Sequence, residues 1–207
     1  MRLFVALVPP PDILDELEEA VLPHRDAVPG LRWVRRELLH VTLTFLGEVD
    51  DRTLERLLPR LERAVGRHER MSLSLAGAGA FPGSGTHARV LWTGLFGDRR
   101  AVARLAASTT AAGRRVGTLP DKYRTFRPHL TLARSRKPVD VRSLVEELSA
   151  FAGATWVADS VHLMRSHLPG KDHDQVRYES LKTWSLRQSS GGGEAGRSAS
   201  GGPQGTP

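Results

Sequence analysis

The chain has no cysteine, which excludes a disulfide framework, a thiol nucleophile and a thiolate metal site. A reducing, cytoplasmic setting is the simplest expectation. No stretch approaches the roughly 18 apolar residues that a membrane-spanning helix needs, so no membrane partner is expected. The short apolar run Leu3 to Val8 stops at Pro9-Pro10-Pro11-Asp12, where a signal peptide would continue its apolar region. It reads as a first strand. Gly-x-x-x-x-Gly-Lys-Ser/Thr is missing as well, so ATP-dependent chemistry has no phosphate-binding loop to rest on.

Lysine is scarce. Only Lys122, Lys137, Lys171 and Lys182 stand among 30 cationic side chains, against 23 carboxylates, so the formal charge of +7 is carried by arginine. The guanidinium is the better bidentate phosphate ligand, and a basic, arginine-rich chain suits a polyanionic substrate. An alanine- and arginine-rich composition also arises from codon bias, so basicity supports nucleic acid without identifying it. At 207 residues, one globular unit, or two small lobes sharing a core, is the expected size.

What is present is one pattern that occurs twice: His40-Val41-Thr42-Leu43 and His129-Leu130-Thr131-Leu132. Each copy lies in an apolar, β-prone run. Strict alternation puts His40, Thr42 and Thr44 on one face and Val41, Leu43 and Phe45 on the other, and it groups His129 with Thr131.

Around the copies, apolar residues at helical spacing predict helices over 12–21, 51–65, 98–112 and 139–151. Alternation predicts strands over 31–34, 71–75, 89–95, 155–164 and 175–186, with a Gly/Ala/Pro loop over 77–85 and a turn-rich hairpin loop over 167–172. Strand, helix, irregular segment, His-x-Thr strand, helix and strand run from Leu3 to Leu75, and the same order runs from Val90 to Met164. Leu3 lies 37 positions before His40 and Val90 lies 39 before His129. The chain therefore reads as a duplication, about 1–80 and 88–187, with the two motifs facing each other across a cleft. From Ser189 onward Gly, Ser and Pro replace apolar residues, so 188–207 reads as a disordered tail.

Two imidazoles near their ordinary pKa of about 6.5 can act together, one taking a proton from water while the other gives one to a leaving oxygen. The threonine two positions on offers each imidazole a neighbouring hydroxyl that can donate to a phosphate oxygen. One His-x-Thr alone is weak, but two in matched places of a duplication are a strong signal.

The chain resembles the two-histidine phosphoesterases, in particular the bacterial and archaeal RNA 2′,3′-cyclic phosphodiesterases once called 2′-5′ RNA ligases. The resemblance rests on Leu3-Phe4-Val5-Ala6, on Trp33 followed by Leu39-His40-Val41-Thr42-Leu43-Thr44-Phe45-Leu46-Gly47, and on Phe126-Arg127-Pro128-His129-Leu130-Thr131-Leu132-Ala133-Arg134. It spans residues 1 to 187. It implies an α+β fold of two pseudo-symmetric lobes, each an antiparallel sheet flanked by helices, with the site in the groove between them.

It further implies that His40 is the proton donor and His129 the proton acceptor, with Thr42 and Thr131 on the cyclic phosphate. The reaction implied is hydrolysis of RNA 2′,3′-cyclic phosphate ends to 2′-phosphomonoesters without metal or cofactor. Its reverse accounts for 2′-5′ ligation. The partner implied is RNA with such ends, tRNA fragments among the candidates, and the protein is expected to be a monomer. The alternatives are a binding module without turnover and a phosphodiesterase acting on small cyclic nucleotides or 2′-5′ linkages.

Arg134 follows from the resemblance as a phosphate contact, although strict alternation places it away from His129 unless the strand ends or bulges near Ala133. Arg127 has the right parity but is separated by Pro128. Phe45, Trp33 and Tyr178 read most simply as core, or else as aromatics that stack on a base. Arg35, Arg36 and the basic segment 114–127 are candidates for a backbone path. His162, His167 and His173 cluster in sequence without a carboxylate pattern, so no metal site is expected there.

Overall fold

The computed structural model describes residues 1–118, 126–169 and 175–188. Half of the basic segment (119–125), the centre of the hairpin loop with His173 (170–174) and the expected tail after Gln188 lie outside the described residues.

In chain order the elements are β1 (Arg2–Leu7), α1 (Pro11–Val21), β2 (Arg32–Trp33), β3 (Val41–Glu48), α2 (Asp51–Val65), β4 (Met71–Phe81), β5 (Ala88–Gly97), α3 (Arg99–Arg114), β6 (His129–Val139), α4 (Arg142–Glu147), β7 (Ala152–Ala158), β8 (Ser160–His167) and β9 (Arg177–Ser185). The helices form where apolar periodicity and end signals agree. Pro11 occupies the first turn of α1, where its missing N–H costs nothing, and Ile13, Leu14, Leu17 and Val21 are buried. The Asp50 side chain accepts a 2.7 Å hydrogen bond from Thr53 N at the start of α2, and Leu57, Leu61, Ala64 and Val65 are buried.

The strands make one nine-stranded antiparallel sheet in the order β7-β4-β5-β6-β3-β1-β8-β9, with β2 also pairing β6. The motif strands β3 and β6 are the central neighbours, yet they pair at a single position, Val41 opposite Leu130. On either side of that seam the sheet forms two lobes. Helices α2 and α3 pack together, α3 on β3 and α2 on β9, while α1 packs on β7 and α4 on β4. The expected class, two antiparallel lobes flanked by helices, is the observed one. The lobes exchange elements: β4, from the first half of the chain, lies between β5 and β7, and β8, from the second half, lies between β1 and β9.

Three elements differ from expectation. The Gly/Ala segment read as a loop continues β4 to Phe81, because pairing with β5 overrides its poor β propensity. There a Cβ on Gly79 would fall inside the indole of Trp92, so only glycine lets that ring lie flat on the strand. The strand expected over 155–164 is broken at Asp159 into β7 and β8, which belong to opposite lobes. The helix expected over 139–151 is shorter, since β6 reaches Val139 and the last turn, Leu148–Ala150, is a 3-10 helix.

Face assignment is the main correction. In β3 the partners of Val5 and Ala6 are Thr44 and Thr42, so Leu43 is an extra residue and the alternation resets there. Leu43 and Thr44 are consecutively buried, and Phe45 is 56% exposed on the same face as Thr42. Phe45 is therefore a groove residue and not core, whereas Thr44 points into the helix layer, 2.7 Å from Thr109 Oγ1 and 2.9 Å from Thr110 Oγ1 on α3. In β6, Trp92 and Leu91 pair with Thr131 and Ala133, so Leu132 is the extra residue. That shift returns Arg134 to the face of His129 and Thr131.

Thr44→Val tests which way this residue faces. It strands partners of a buried hydroxyl cluster and should cost about 1 kcal/mol, lowering Tm by roughly 2–4 °C. An unchanged melting curve would mean that the hydroxyl is not held in the core.

Candidate active site

His40 immediately precedes β3 and His129 opens β6, so the antiparallel seam at Val41 and Leu130 sets the two imidazoles diagonally across from each other on the groove face. Both rings are held in the same way. His40 Nδ1 lies 2.7 Å from the carbonyl of Leu38, and His129 Nδ1 lies 2.6 Å from the carbonyl of Arg127. A carbonyl only accepts, so each Nδ1 carries the proton and each neutral ring keeps its lone pair on Nε2. His40 Nε2 receives the Thr42 hydroxyl at 2.9 Å. Arg134 Nη2 reaches Thr131 Oγ1 at a long 3.5 Å.

The carbonyl that holds His40 is itself fixed. Val34 N donates to Leu132 O at 2.8 Å, tying the segment after β2 to the second motif strand. Arg36 binds Asp15 at 2.7 Å and Glu18 at 3.1 Å and donates to Pro11 O at 2.8 Å, while Arg35 donates to Val176 O at 2.6 Å. These two arginines, candidates for an RNA path, are engaged in holding the 3-10 turn Arg36–Leu38 that presents the Leu38 carbonyl.

Aromatic rings wall both imidazoles. Phe4 lies 4.8 Å from His40 and Tyr178 meets it edge-on at 5.3 Å; Phe81 meets His129 edge-on at 5.1 Å, with Trp92 at 6.0 Å. Burial among them disfavours the charged form, so the His40 pKa is lowered to about 4. The Leu38 bond opposes this, and the charges of Arg134 and His129 add to it. His129 is also lowered, by burial first and by Arg134 as well, against the Arg127 carbonyl. Burial raises the Tyr178 hydroxyl while the charges of Arg134 and Arg2 pull it down. Both shifts favour the neutral imidazole at pH 7, with the Arg134 guanidinium as a positive charge near the two rings.

Of the residues singled out in the sequence, His40, His129, Thr42, Thr131, Arg134 and Phe45 share this face. Arg127 is exposed and contributes its carbonyl; its guanidinium makes no hydrogen bond or ion pair with a described residue. Tyr178 belongs to the groove, whereas Trp33 packs against the core and donates Nε1 to Arg25 O at 2.9 Å. His162 Nδ1 binds Thr183 Oγ1 at 3.1 Å, and His167 Nε2 binds Glu179 at 2.8 Å. Among the described residues no group of three or more His, Asp or Glu could hold a metal ion. Sequence reasoning did not reach Phe4, Phe81 and Trp92, because only pairing register carries them to the histidines.

Comparison with known proteins gives the family and the fold. The model of the 2′-5′ RNA ligase superfamily matches residues 9–169. An RNA 2′,3′-cyclic phosphodiesterase of Archaeoglobus fulgidus is 36% identical over 154 residues, covering 72% of this chain and 82% of that protein. One from Thermus thermophilus is 32% identical over 211 residues, covering 98% and 96%. The crystal structure of Escherichia coli LigT in apo form superposes with a TM-score of 0.71 at 27% identity, over 90% of this chain and 98% of that one. With a family profile spanning most of the folded part and relatives above 30% identity along most of their length, the chain belongs to the 2′-5′ RNA ligase superfamily.

Proposed function

We propose that the groove hydrolyses 2′,3′-cyclic phosphate ends of RNA to 2′-phosphomonoester ends. The observation that carries this reading is the matched pair of imidazoles on the groove face, each with Nδ1–H tied to the carbonyl two residues upstream, which leaves Nε2 as the acceptor nitrogen. The relatives that share the family are RNA 2′,3′-cyclic phosphodiesterases by name.

In the proposed step His129 Nε2 takes a proton from water as its oxygen bonds to phosphorus. The P–O3′ bond breaks, and His40 Nε2 gives its proton to the departing O3′. One proton enters the pair and one leaves, so atoms and charge balance. Thr42 and Thr131 donate to the non-bridging oxygens, and Arg134 offsets the charge gathering on them. The same groups support 2′-5′ ligation when the 5′-hydroxyl of a second RNA replaces water: His129 takes its proton as its oxygen bonds to phosphorus, the P–O3′ bond breaks, and His40 protonates O3′.

The low pKa of His40 bears on the division of labour. A ring so far below its ordinary value is the stronger acid of the two once protonated, which suits a donor. Its proton must arrive with the substrate: a phosphate placed between the rings reverses the effect of burial and of Arg134, so binding takes up a proton.

Two outcomes follow. His40→Ala and His129→Ala should each lower kcat on a cyclic-ended oligonucleotide in EDTA by about 10²–10⁴-fold, and wild-type rates in either variant would refute the assignment. Sulfate keeps its charge between pH 8 and 5, and as a competitive inhibitor it should bind more tightly as pH falls across that range. His40→Ala should remove most of that dependence. An inhibition constant that does not change with pH would rule out proton uptake by the pair.

A further inference from the structure

Arginine faces arginine at one place in the sheet. β2 pairs with β6 so that Arg32 lies directly opposite Arg134. Paired residues of antiparallel strands share a face, with Cα atoms roughly 4.5–5.5 Å apart, so Arg32 stands on the groove face beside the guanidinium that serves the histidines. Like charges set directly opposite destabilise a sheet. Among the described residues no carboxylate forms an ion pair with either arginine, nor with Arg89, Arg136 or Lys137 on the neighbouring stretch of β5 and β6.

Other arginines of the molecule have acidic residues beside them. Arg2 lies opposite Glu48 and Arg165 opposite Glu179, while Arg25, Arg35, Arg36 and Arg142 all have carboxylate partners. Arg32 and Arg134 are cations without a carboxylate partner that face each other on the groove side of the sheet.

We propose that Arg32 binds the phosphodiester adjoining the terminal nucleotide while Arg134 holds the cyclic phosphate, so that the groove selects RNA chains over cyclic mononucleotides. The proposal rests on the reading of the site given above. A cyclic phosphate closes the 3′ end, so every further phosphate of the substrate lies on its 5′ side and only one chain leaves the groove. Arg134 reaches toward Thr131, which leaves Arg32, its partner across the strand pair, as the next cation on the same face. Arg89 Nη1 donates to the Arg136 carbonyl at 2.7 Å, holding the basic end of β6 against β5 along the continuing path.

Binding tests the clamp without requiring turnover. Affinities of a 2′-phosphate-ended tetranucleotide and of a nucleoside 2′-phosphate are measured for wild type, Arg32→Ala and Arg32→Glu, with thermal melts confirming the fold. The wild type should favour the tetranucleotide, and Arg32→Ala should reduce the ratio about tenfold, the loss expected for one charge-assisted contact. Arg32→Glu should reduce it further, and the salt slope of tetranucleotide binding should fall by roughly 0.7. A wild type that binds both alike, or a ratio unchanged in Arg32→Ala, overturns the clamp whatever the activity. Selective binding by a wild type that hydrolyses no cyclic-ended RNA would instead overturn the proposed reaction and leave the clamp standing.

Discussion

The groove depends on one irregularity used twice. A regular strand turns successive side chains to opposite faces, so a strand that begins with His-x-Thr would send the fifth residue after its histidine into the core. In β3 the extra residue is Leu43 and in β6 it is Leu132. Each bulge hides two consecutive residues in the helix layer and returns the next to the groove, which is how Phe45 and Arg134 come to stand beside Thr42 and Thr131. The two positions stand equally far along the chain from their histidines and are chemically opposite, one aromatic and one cationic. The asymmetry of an otherwise symmetric site enters there, along with the unequal burial of the histidines.

The bulges act through a seam that is narrow. β3 and β6 pair only at Val41 and Leu130, so the lobes diverge at once and leave a groove instead of a flat sheet. Strand exchange between the halves compensates, since β4 and β8 each carry one half of the chain into the other lobe. The loop bearing His40 is pinned from both sides, by β2 on β6 and by Arg36 on α1. The imidazole is thus fixed by the second motif's strand as much as by its own.

This explains which parts of the molecule were legible in the sequence. The paired motifs, the order of elements and the two-lobed class could be read because each is local or repeats at a fixed spacing. Faces beyond the bulges could not. Leu43 and Leu132 are ordinary leucines with nothing to mark them as extra, so alternation sent Phe45 inward and Thr44 outward. The β character of residues 77–81 was hidden as well, because glycine and alanine there answer to the indole of Trp92 from another strand. Arg32 carries no motif and gains significance only from its partner across β2 and β6.

The carbonyls of Leu38 and Arg127 hold each Nδ1–H, so that Nε2 is the unprotonated nitrogen of both neutral rings. Nitrogen-15 NMR of labelled histidine in the ligand-free protein at pH 7 reads that arrangement directly. Neutral rings protonated on Nδ1 at both His40 and His129 are predicted; an Nε2–H tautomer, or an imidazolium, at either position would contradict it.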